Sequence, residues 1–401
     1  MRILRAVRTF PLPVRLLLVN QLGVNTGFYL LIPYLAGHLG QDLGLSALAV
    51  GAVLGVRNLS QQGLFIIGGS AADRLGARRV IIAGCALRTA GFGLFALGDS
   101  LAVLLAASVL SGLAGALFNP AVRTYVAHEA GERKAEAFAL FNVFATTGAL
   151  AGPLLGTLLL LVDFRAAALT AAGIFALLTA AQALALPARD VPPPERGLLA
   201  DWREVAADRR FLAFAVAMVG LFGMESQLYL LLPDAARRAT GWEGAVSLVF
   251  LTSTLANLTL QLRITTRLQQ RAAPGRWIPL GLALAATGFL LPLAAPGLPG
   301  VLGGVLLLQL GLMTAQPFVL ELIPAFGRDG LTGTYYGLYY VVSGVAAALG
   351  NTAVGRAMDG AAAAPWLLCC GLGLASAAAL TRLHRTGRLP TPARPLPSEA
   401  R

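Results

Sequence analysis

The chain has 401 residues, of which 57% are hydrophobic and only 12% are charged. Soluble domains carry about 25% charged residues, so a soluble fold of this composition would expose large apolar patches and aggregate. The composition therefore excludes an ordinary soluble protein and predicts an integral membrane protein. The basic residues behind the net charge of +12 lie mostly in short loops between apolar runs. This placement indicates orientation in a bilayer rather than nucleic-acid binding.

Twelve apolar runs are long enough to cross a bilayer, and helix is the expected state because lipid satisfies no backbone hydrogen bonds. The runs cover 16–37, 45–71, 80–98, 100–122, 137–161, 166–186, 211–233, 244–262, 277–294, 299–320, 332–355 and 361–381. An even number places both termini on one side. With that side cytoplasmic, 25 of the 31 Lys and Arg residues are cytoplasmic, four are external and two lie inside spans, as the positive-inside rule requires.

The predicted organisation is two six-helix halves, 1–186 and 211–389, joined by a connector at 187–210 and followed by a disordered tail at 390–401. The first run is too long for the hydrophobic region of a signal peptide, so we expect it to remain as a helix. The connector starts with prolines and continues with helical spacing, which favours a short interfacial helix anchored by Trp202.

The loop after the second span combines glycines with an acid and several arginines. Its residues allow a tight turn and an ion-pair cluster, although a plain solvated basic loop has the same composition. The loop resembles the signature motif of the major facilitator superfamily at Gly69, Asp73, Arg74, Gly76 and Arg78. Ala71 and Ala77 depart from the motif. The resemblance implies a cytoplasmic gate that holds the outward-open state.

Glycines recur every fourth residue in the fifth span, at Gly148, Gly152 and Gly156, with Pro153 among them. Such a stripe allows close helix packing, and the proline is expected to add a bend. The run also resembles the antiporter motif of the same superfamily, with Thr157 replacing its last glycine, and this resemblance implies export. The segments 57–63, 87–92, 110–120 and 163–165 are similar to MdtH-type multidrug exporters of the drug:proton antiporter group, whereas Ser108 replaces an arginine common in that group.

Three charged residues lie well inside predicted spans, where charge is costly and indicates function: Arg57, Arg88 and Glu225. Glu225 is the one acid among them, so it is the candidate proton carrier. A static pair with an arginine, bridging the two halves, is the competing interpretation. Two arginines against one acid argue against a simple cation-binding cavity.

Further polar and aromatic residues are candidates for the cavity lining. They are Asn25, Asn58, Gln61, Gln62, Gln227, Gln309, Gln316, Tyr336 and Tyr340. The tyrosines start the eleventh span, where an aromatic belt at the membrane interface is the alternative. Glu321, Arg328 and Asp329 are candidates for a gate in the second half.

These patterns predict an all-α integral membrane protein of twelve helices with the major facilitator fold, in which the substrate site lies near the midplane between the halves. The predicted function is proton-coupled export of lipophilic small molecules or drugs by alternating access. A dedicated exporter of a metabolite or sugar-like solute is one alternative, and a non-transporting sensor or scaffold is another. No enzyme motif, metal site, cofactor or nucleic-acid partner is expected; the expected partners are substrate, protons and lipid, for a monomer in a bacterial inner membrane.

Overall fold

The computed structural model describes residues 2–188, 197–242, 245–270, 274–327, 330–358 and 360–390. Over these ranges the chain forms helices and turns and contains no β-strand. The all-α prediction is therefore confirmed. The proline-rich part of the connector at 191–194, the residues Arg328 and Asp329, and the predicted tail beyond Pro390 lie outside the described residues.

The helices of the first part of the chain are α1 (Arg2–Arg8), α2 (Leu12–Gly37), α3 (Ala47–Gly63), α4 (Phe65–Leu75), α5 (Ala77–Leu97), α6 (Leu101–Glu129), α7 (Lys134–Leu160) and α8 (Phe164–Ala185). Those of the remainder are α9 (Leu198–Ala207), α10 (Arg209–Ala217), α11 (Val219–Glu225), α12 (Leu231–Thr240), α13 (Ala245–Gln269), α14 (Pro274–Gly288), α15 (Leu291–Ala294), α16 (Leu298–Leu322), α17 (Thr332–Met358) and α18 (Ala364–Arg385). Short π- or 3₁₀-helical turns cover His38–Asp42, Gly131–Arg133, Ser226–Leu228 and Ile323–Ala325.

Within the described ranges, eleven helical stretches are long and apolar enough to cross a membrane. The span predicted over 45–71 is not among them, because the helix is interrupted at Leu64 and divides into α3 of 17 residues and α4 of 11 residues. Gly63, which ends α3, weakens the helix at this point, since glycine is a poor helix former. The count of twelve spans therefore stays a prediction.

Large apolar side chains are exposed on several of these helices. Leu97, Leu177 and Leu184 are each 73–88% exposed. In water such surfaces would associate, whereas hydrocarbon accommodates them without cost. The exposed leucines therefore indicate which helix faces contact lipid.

One compact unit comprises Met1–Glu129, Leu140–Val205 and Asp329–Val341. Inside it, α5 packs between α6 and α8, while α3 and α4 pack on α6 and α2 packs on α8. Small residues allow these close approaches: a Cβ at Gly68 would overlap the backbone carbonyl of Ala116 on α6. Packing through small residues is the usual way in which helices associate when lipid provides no hydrophobic driving force.

The second compact unit comprises Ala130–Ala139, Ala206–Arg328 and Val342–Arg401. Within it, α14 packs on α16 and α18, α13 packs on α16, and α11 packs on α18. Gly281 of α14 and Gly311 of α16 face each other so closely that a Cβ on either would meet the other's carbonyl. The predicted domain boundaries at 186 and 211 stay a prediction.

Candidate functional site

The turn between α4 and α5 lies inside the first unit and carries the predicted gate residues. Gly76 forms the turn with φ of +88°, a conformation that glycine adopts without steric cost. Because α4 ends one residue before it and α5 starts one residue after it, Asp73, Arg74 and Arg78 are directed to three different neighbours. We call these three residues the α4–α5 cluster.

Asp73 binds the first turn of α17. Its Oδ1 accepts a hydrogen bond from the Gly333 backbone N–H at 2.6 Å, and its Oδ2 accepts from the backbone N–H and the hydroxyl of Thr334, each at 2.7 Å. The first N–H groups of a helix have no partner within the helix, and the helix dipole favours an anion there. Asp73 is therefore an N-terminal cap supplied by a residue 260 positions away.

Close backbone approach makes this cap possible. A Cβ on Gly69 would overlap the carbonyl group of Gly333, and a Cβ on Gly333 would overlap the carbonyl of Gly69 and the Asp73 carboxylate. Ser70, next to Gly69, lies 3.2 Å from the Thr334 hydroxyl. The motif glycine is needed here because no side chain fits between α4 and α17.

Arg74 and Arg78 bind two further helices of the same unit. Arg74 forms an ion pair with the buried Asp201 of α9, and Trp202 beside it donates its indole N–H to Ser70 at 2.6 Å. Arg78 donates to the backbone carbonyls of Ala183 and Leu186 at 2.6 Å each, at the carboxyl end of α8. A cation at that end of a helix satisfies carbonyls that have no helical partner.

The structure thus brings together all five predicted gate residues. Sequence reasoning missed their partners Gly333, Thr334 and Asp201. The Thr332-Gly333-Thr334 run at the start of α17 is a helix-start signal that could have suggested a capped N-terminus. Trp202, predicted to anchor α9 at the lipid headgroups, instead donates its N–H to protein.

The glycine stripe of α7 packs against α2. Cβ atoms at Gly148, Gly152 and Gly156 would meet backbone atoms of α2 at Leu22, Thr26 and Leu30 respectively. The helix continues through Pro153, whose carbonyl accepts a hydrogen bond from the Tyr34 hydroxyl at 2.8 Å. Asn25 of α2 also donates to the Ala145 carbonyl of α7 at 2.8 Å, so the predicted lining residue Asn25 connects the two helices.

Arg57 of α3 is 9% exposed and has its hydrogen-bond partners on its own helix. It donates to the Gln61 side chain at 3.2 Å and to the Asn58 side chain at 2.5 Å, while its Nε has no partner. Its guanidinium lies 5.2 Å from the centroid of the Phe28 ring. Gln62, which was grouped with these amides, is exposed.

Arg88 of α5 is 5% exposed and lies over two aromatic rings. Its guanidinium carbon is 5.2 Å from the Phe118 centroid and 5.6 Å from the Phe175 centroid. The Nε of Arg88 has no hydrogen-bond partner. Among the described residues of this unit, no carboxylate forms an ion pair with Arg57 or Arg88.

Glu225 belongs to the second unit, at the end of α11. Its Oε1 accepts a hydrogen bond from Gln316 of α16 at 3.4 Å, and within this unit the described residues provide no cation paired with it. Gln227, two residues later, is completely buried and donates to the Gly223 carbonyl at 2.8 Å and to Asn351 at 3.1 Å.

The remaining predicted lining residues are largely enclosed by protein. Gln309 is 6% exposed and Tyr336 is fully buried, while Tyr340 packs on Phe65 at 5.3 Å between ring centroids. Tyr335 and Tyr339 are buried as well, rather than exposed to lipid as in an aromatic belt. In the second unit, Glu321 lies near the charge of Lys134.

Residues 17–351 match the family model described as the Major Facilitator Superfamily. The chain belongs to this superfamily. It is therefore a multi-pass membrane transporter and not an enzyme. An uncharacterized MFS-type transporter of Mycobacterium tuberculosis (strain H37Rv) is 43% identical to this MFS protein over 88% of each chain. The multidrug resistance protein MdtH of Photorhabdus laumondii is 32% identical over 92% of this chain and 93% of its own, which confirms the resemblance to MdtH-type proteins.

Solved structures share the fold. The Escherichia coli fucose:proton symporter FucP matches with a TM-score of 0.77 at 15% identity, and the human organic anion transporter MFSD10 matches with 0.74 at 20% identity. Both matches cover 92% of this chain and 98% of the other. These likenesses confirm the major facilitator fold.

Proposed function

We propose that this transporter exports lipophilic small molecules in exchange for protons, by alternating access. The MdtH relatives support an exported drug-like substrate, and the glycine stripe of α7 supports the antiporter class by its resemblance to that motif. The excess of Arg and Lys on one side supports an inner-membrane location with both termini cytoplasmic. The protein is proposed to act as a monomer.

The environment of the Glu225 carboxyl group is the main support for proton coupling. Its hydrogen-bond partner is the neutral amide of Gln316, not a cation of its own unit. A lone charge inside a bilayer is costly, and acids at such positions commonly carry protons in pumps and transporters. An amide partner tolerates both the charged and the neutral carboxyl, so Glu225 can load and release a proton without breaking an ion pair.

Alternating access also needs contacts that form in one state and break in another. We propose that the cap between Asp73 and α17 is such a contact. Its three hydrogen bonds use backbone N–H groups and one hydroxyl, all of which water can solvate when the helix ends separate. The Arg78 contacts with α8 stay within one group of neighbouring helices and are proposed to persist.

The test uses inverted membrane vesicles that are energised to an acidic interior and read with a pH-sensitive dye. Proton release on addition of a lipophilic drug to wild type, absent in Glu225→Gln, is the expected result. Asp234→Asn is the matched control, because Asp234 also belongs to the second unit but forms ion pairs with Arg237 and Arg238.

Two outcomes would contradict the proposal in different ways. Full proton release in Glu225→Gln would remove Glu225 from the coupling step while leaving antiport. No release by wild type with cationic, zwitterionic, neutral or anionic drugs would reject lipophilic drugs as substrates and favour a dedicated exporter of a metabolite or sugar-like solute.

A further inference from the structure

The first unit holds membrane-embedded positive charge without matching negative charge. The six predicted spans between residues 16 and 186 contain Arg57 and Arg88 but no Asp or Glu. The acids of this region lie in the connections and at helix ends. A buried cation normally has a counter-ion, because an uncompensated charge in an apolar environment is strongly destabilising.

Arg88 has fewer hydrogen-bond partners among the described residues than Arg57 has. Its neighbours are the rings of Phe118 and Phe175, and the structure shows no hydrogen bond from its guanidinium to a described residue. Cation–π contacts compensate only part of the cost of removing a guanidinium from water. The nearby amide of Gln182 is engaged with Asn20 and Cys85 through its nitrogen, and its Oε1 is buried without a partner.

Arg57 extends the same positive region. The charges of Arg57 and Arg88 repel each other, and no ion pair with a described residue of this unit neutralises either one. A continuous set of aromatic rings connects them: Phe28 contacts Arg57, Phe92 lies 6.5 Å from Phe28 between centroids, and Phe175 lies 4.8 Å from Phe92 beside Arg88.

Arg123 of α6 provides a comparison for Arg88 in the same unit. Its guanidinium also lies over two rings, 5.5 Å from the Phe141 centroid and 4.7 Å from the Tyr340 centroid. It differs because it donates to the Asn119 carbonyl at 2.9 Å. The Nε atoms of both arginines are buried without a partner. The two residues therefore differ in the hydrogen bond that the Arg123 Nη1 donates, for which Arg88 has no counterpart among the described residues.

We propose that Arg88, together with Arg57, binds the carboxylate of an organic anion whose aromatic or apolar body packs against the half-buried Phe28 ring beside Arg57. A guanidinium forms two parallel hydrogen bonds to a carboxylate, which supplies both the counter-charge and the missing acceptors. This inference rests on the proposed function and specifies its substrate class as lipophilic carboxylates.

The test compares three probes of the same shape and different charge: 2-naphthoate, 2-naphthalenemethanol and 2-naphthylmethylammonium. Their affinities for the purified full-length protein are measured in neutral detergent by equilibrium dialysis. We expect 2-naphthoate to bind at least tenfold more tightly than the other two. Arg88→Gln should weaken 2-naphthoate binding at least tenfold, and Arg123→Gln should change it less than twofold.

Equal affinity for the three probes, preference for the alcohol or the ammonium, or no binding of 2-naphthoate would overturn the inference. If Arg88→Gln does not yield folded protein, two other measurements test the inference. Wild type should still prefer 2-naphthoate over the alcohol and the ammonium, and Arg57→Gln should bind 2-naphthoate more weakly than wild type. Binding requires no proton gradient, so failure of the antiport assay with a retained carboxylate preference rejects only the proposed function. Antiport of drugs without that preference rejects only the inference.

Discussion

Replacing Asp73 with asparagine isolates the cap between the α4–α5 cluster and α17. The carboxylate accepts three hydrogen bonds from Gly333 and Thr334. The single oxygen of an amide accepts at most two, and its NH₂ group would face a donor. Losing one charge-assisted bond costs about 2 kcal/mol, and losing the anion at a helix N-terminus costs about 1 kcal/mol more. The sum of about 3 kcal/mol corresponds to a roughly 100-fold change in the equilibrium between closed and open cap.

The assay reads the open population through a buried cysteine. Leu331, which precedes α17, is 2% exposed, so Leu331→Cys in a background without native cysteines should react slowly with a maleimide. Asp73→Asn should raise that rate up to 100-fold, whereas Asp99→Asn, which removes an exposed ion pair with Arg165, should leave it unchanged. An unchanged rate in Asp73→Asn would refute the assignment of Asp73 as the cap.

Two further substitutions test packing and capping elsewhere. Gly152→Ala places a Cβ 2.7 Å from the Tyr29 Cβ. The overpacking should reduce the free energy of unfolding by about 1–3 kcal/mol, which lowers the thermal unfolding temperature and the transport rate. Gly173→Ala, which has open space around its Cβ, should change neither quantity, and equal effects of the two substitutions would contradict the packing argument. Arg78→Gln removes two bonds to carbonyls of α8 and should destabilise the protein by about 2 kcal/mol, measured by thermal unfolding against Arg79→Gln, an exposed neighbour.

The local arrangement of the predicted gate residues could be inferred from sequence because the motif is local, whereas their role as a gate stays a prediction. Gly76 and the charges around it lie within ten residues of each other, so their spacing alone indicates a tight charged turn. Their partners could not be predicted in the same way. Thr334 is 261 positions from Asp73, and its contribution is largely a backbone N–H, which every residue except proline possesses and no residue type reveals.

Burial was the other property that hydropathy could not resolve. The periodicity of the eleventh span shows that tyrosines recur every fourth residue, but not which neighbour covers them, and Tyr336 proves fully buried. The interruption at Leu64 follows the polar segment 57–63, which ends in the poor helix former Gly63. Because apolar residues continue on both sides of this segment, the prediction joined them into a single span. The lining residues therefore stay a prediction.

The intramembrane charges constrain the transport cycle when they are considered together. If Arg88 binds a carboxylate and Glu225 binds a proton, each ligand neutralises the charge of its residue. The loaded states then avoid the free-energy cost of an uncompensated charge in the bilayer, which the empty states bear. One anion leaving and one proton entering move two charges in the same electrical sense. Each charge contributes about 2.3 kcal/mol per 100 mV, so a negative-inside potential drives both movements. Exchange of a monovalent cation for a proton moves no net charge and would gain nothing from that potential. It would also need a second acid to bind the cation, and the predicted spans of this chain contain only Glu225. The sequence therefore favours the electrogenic cycle.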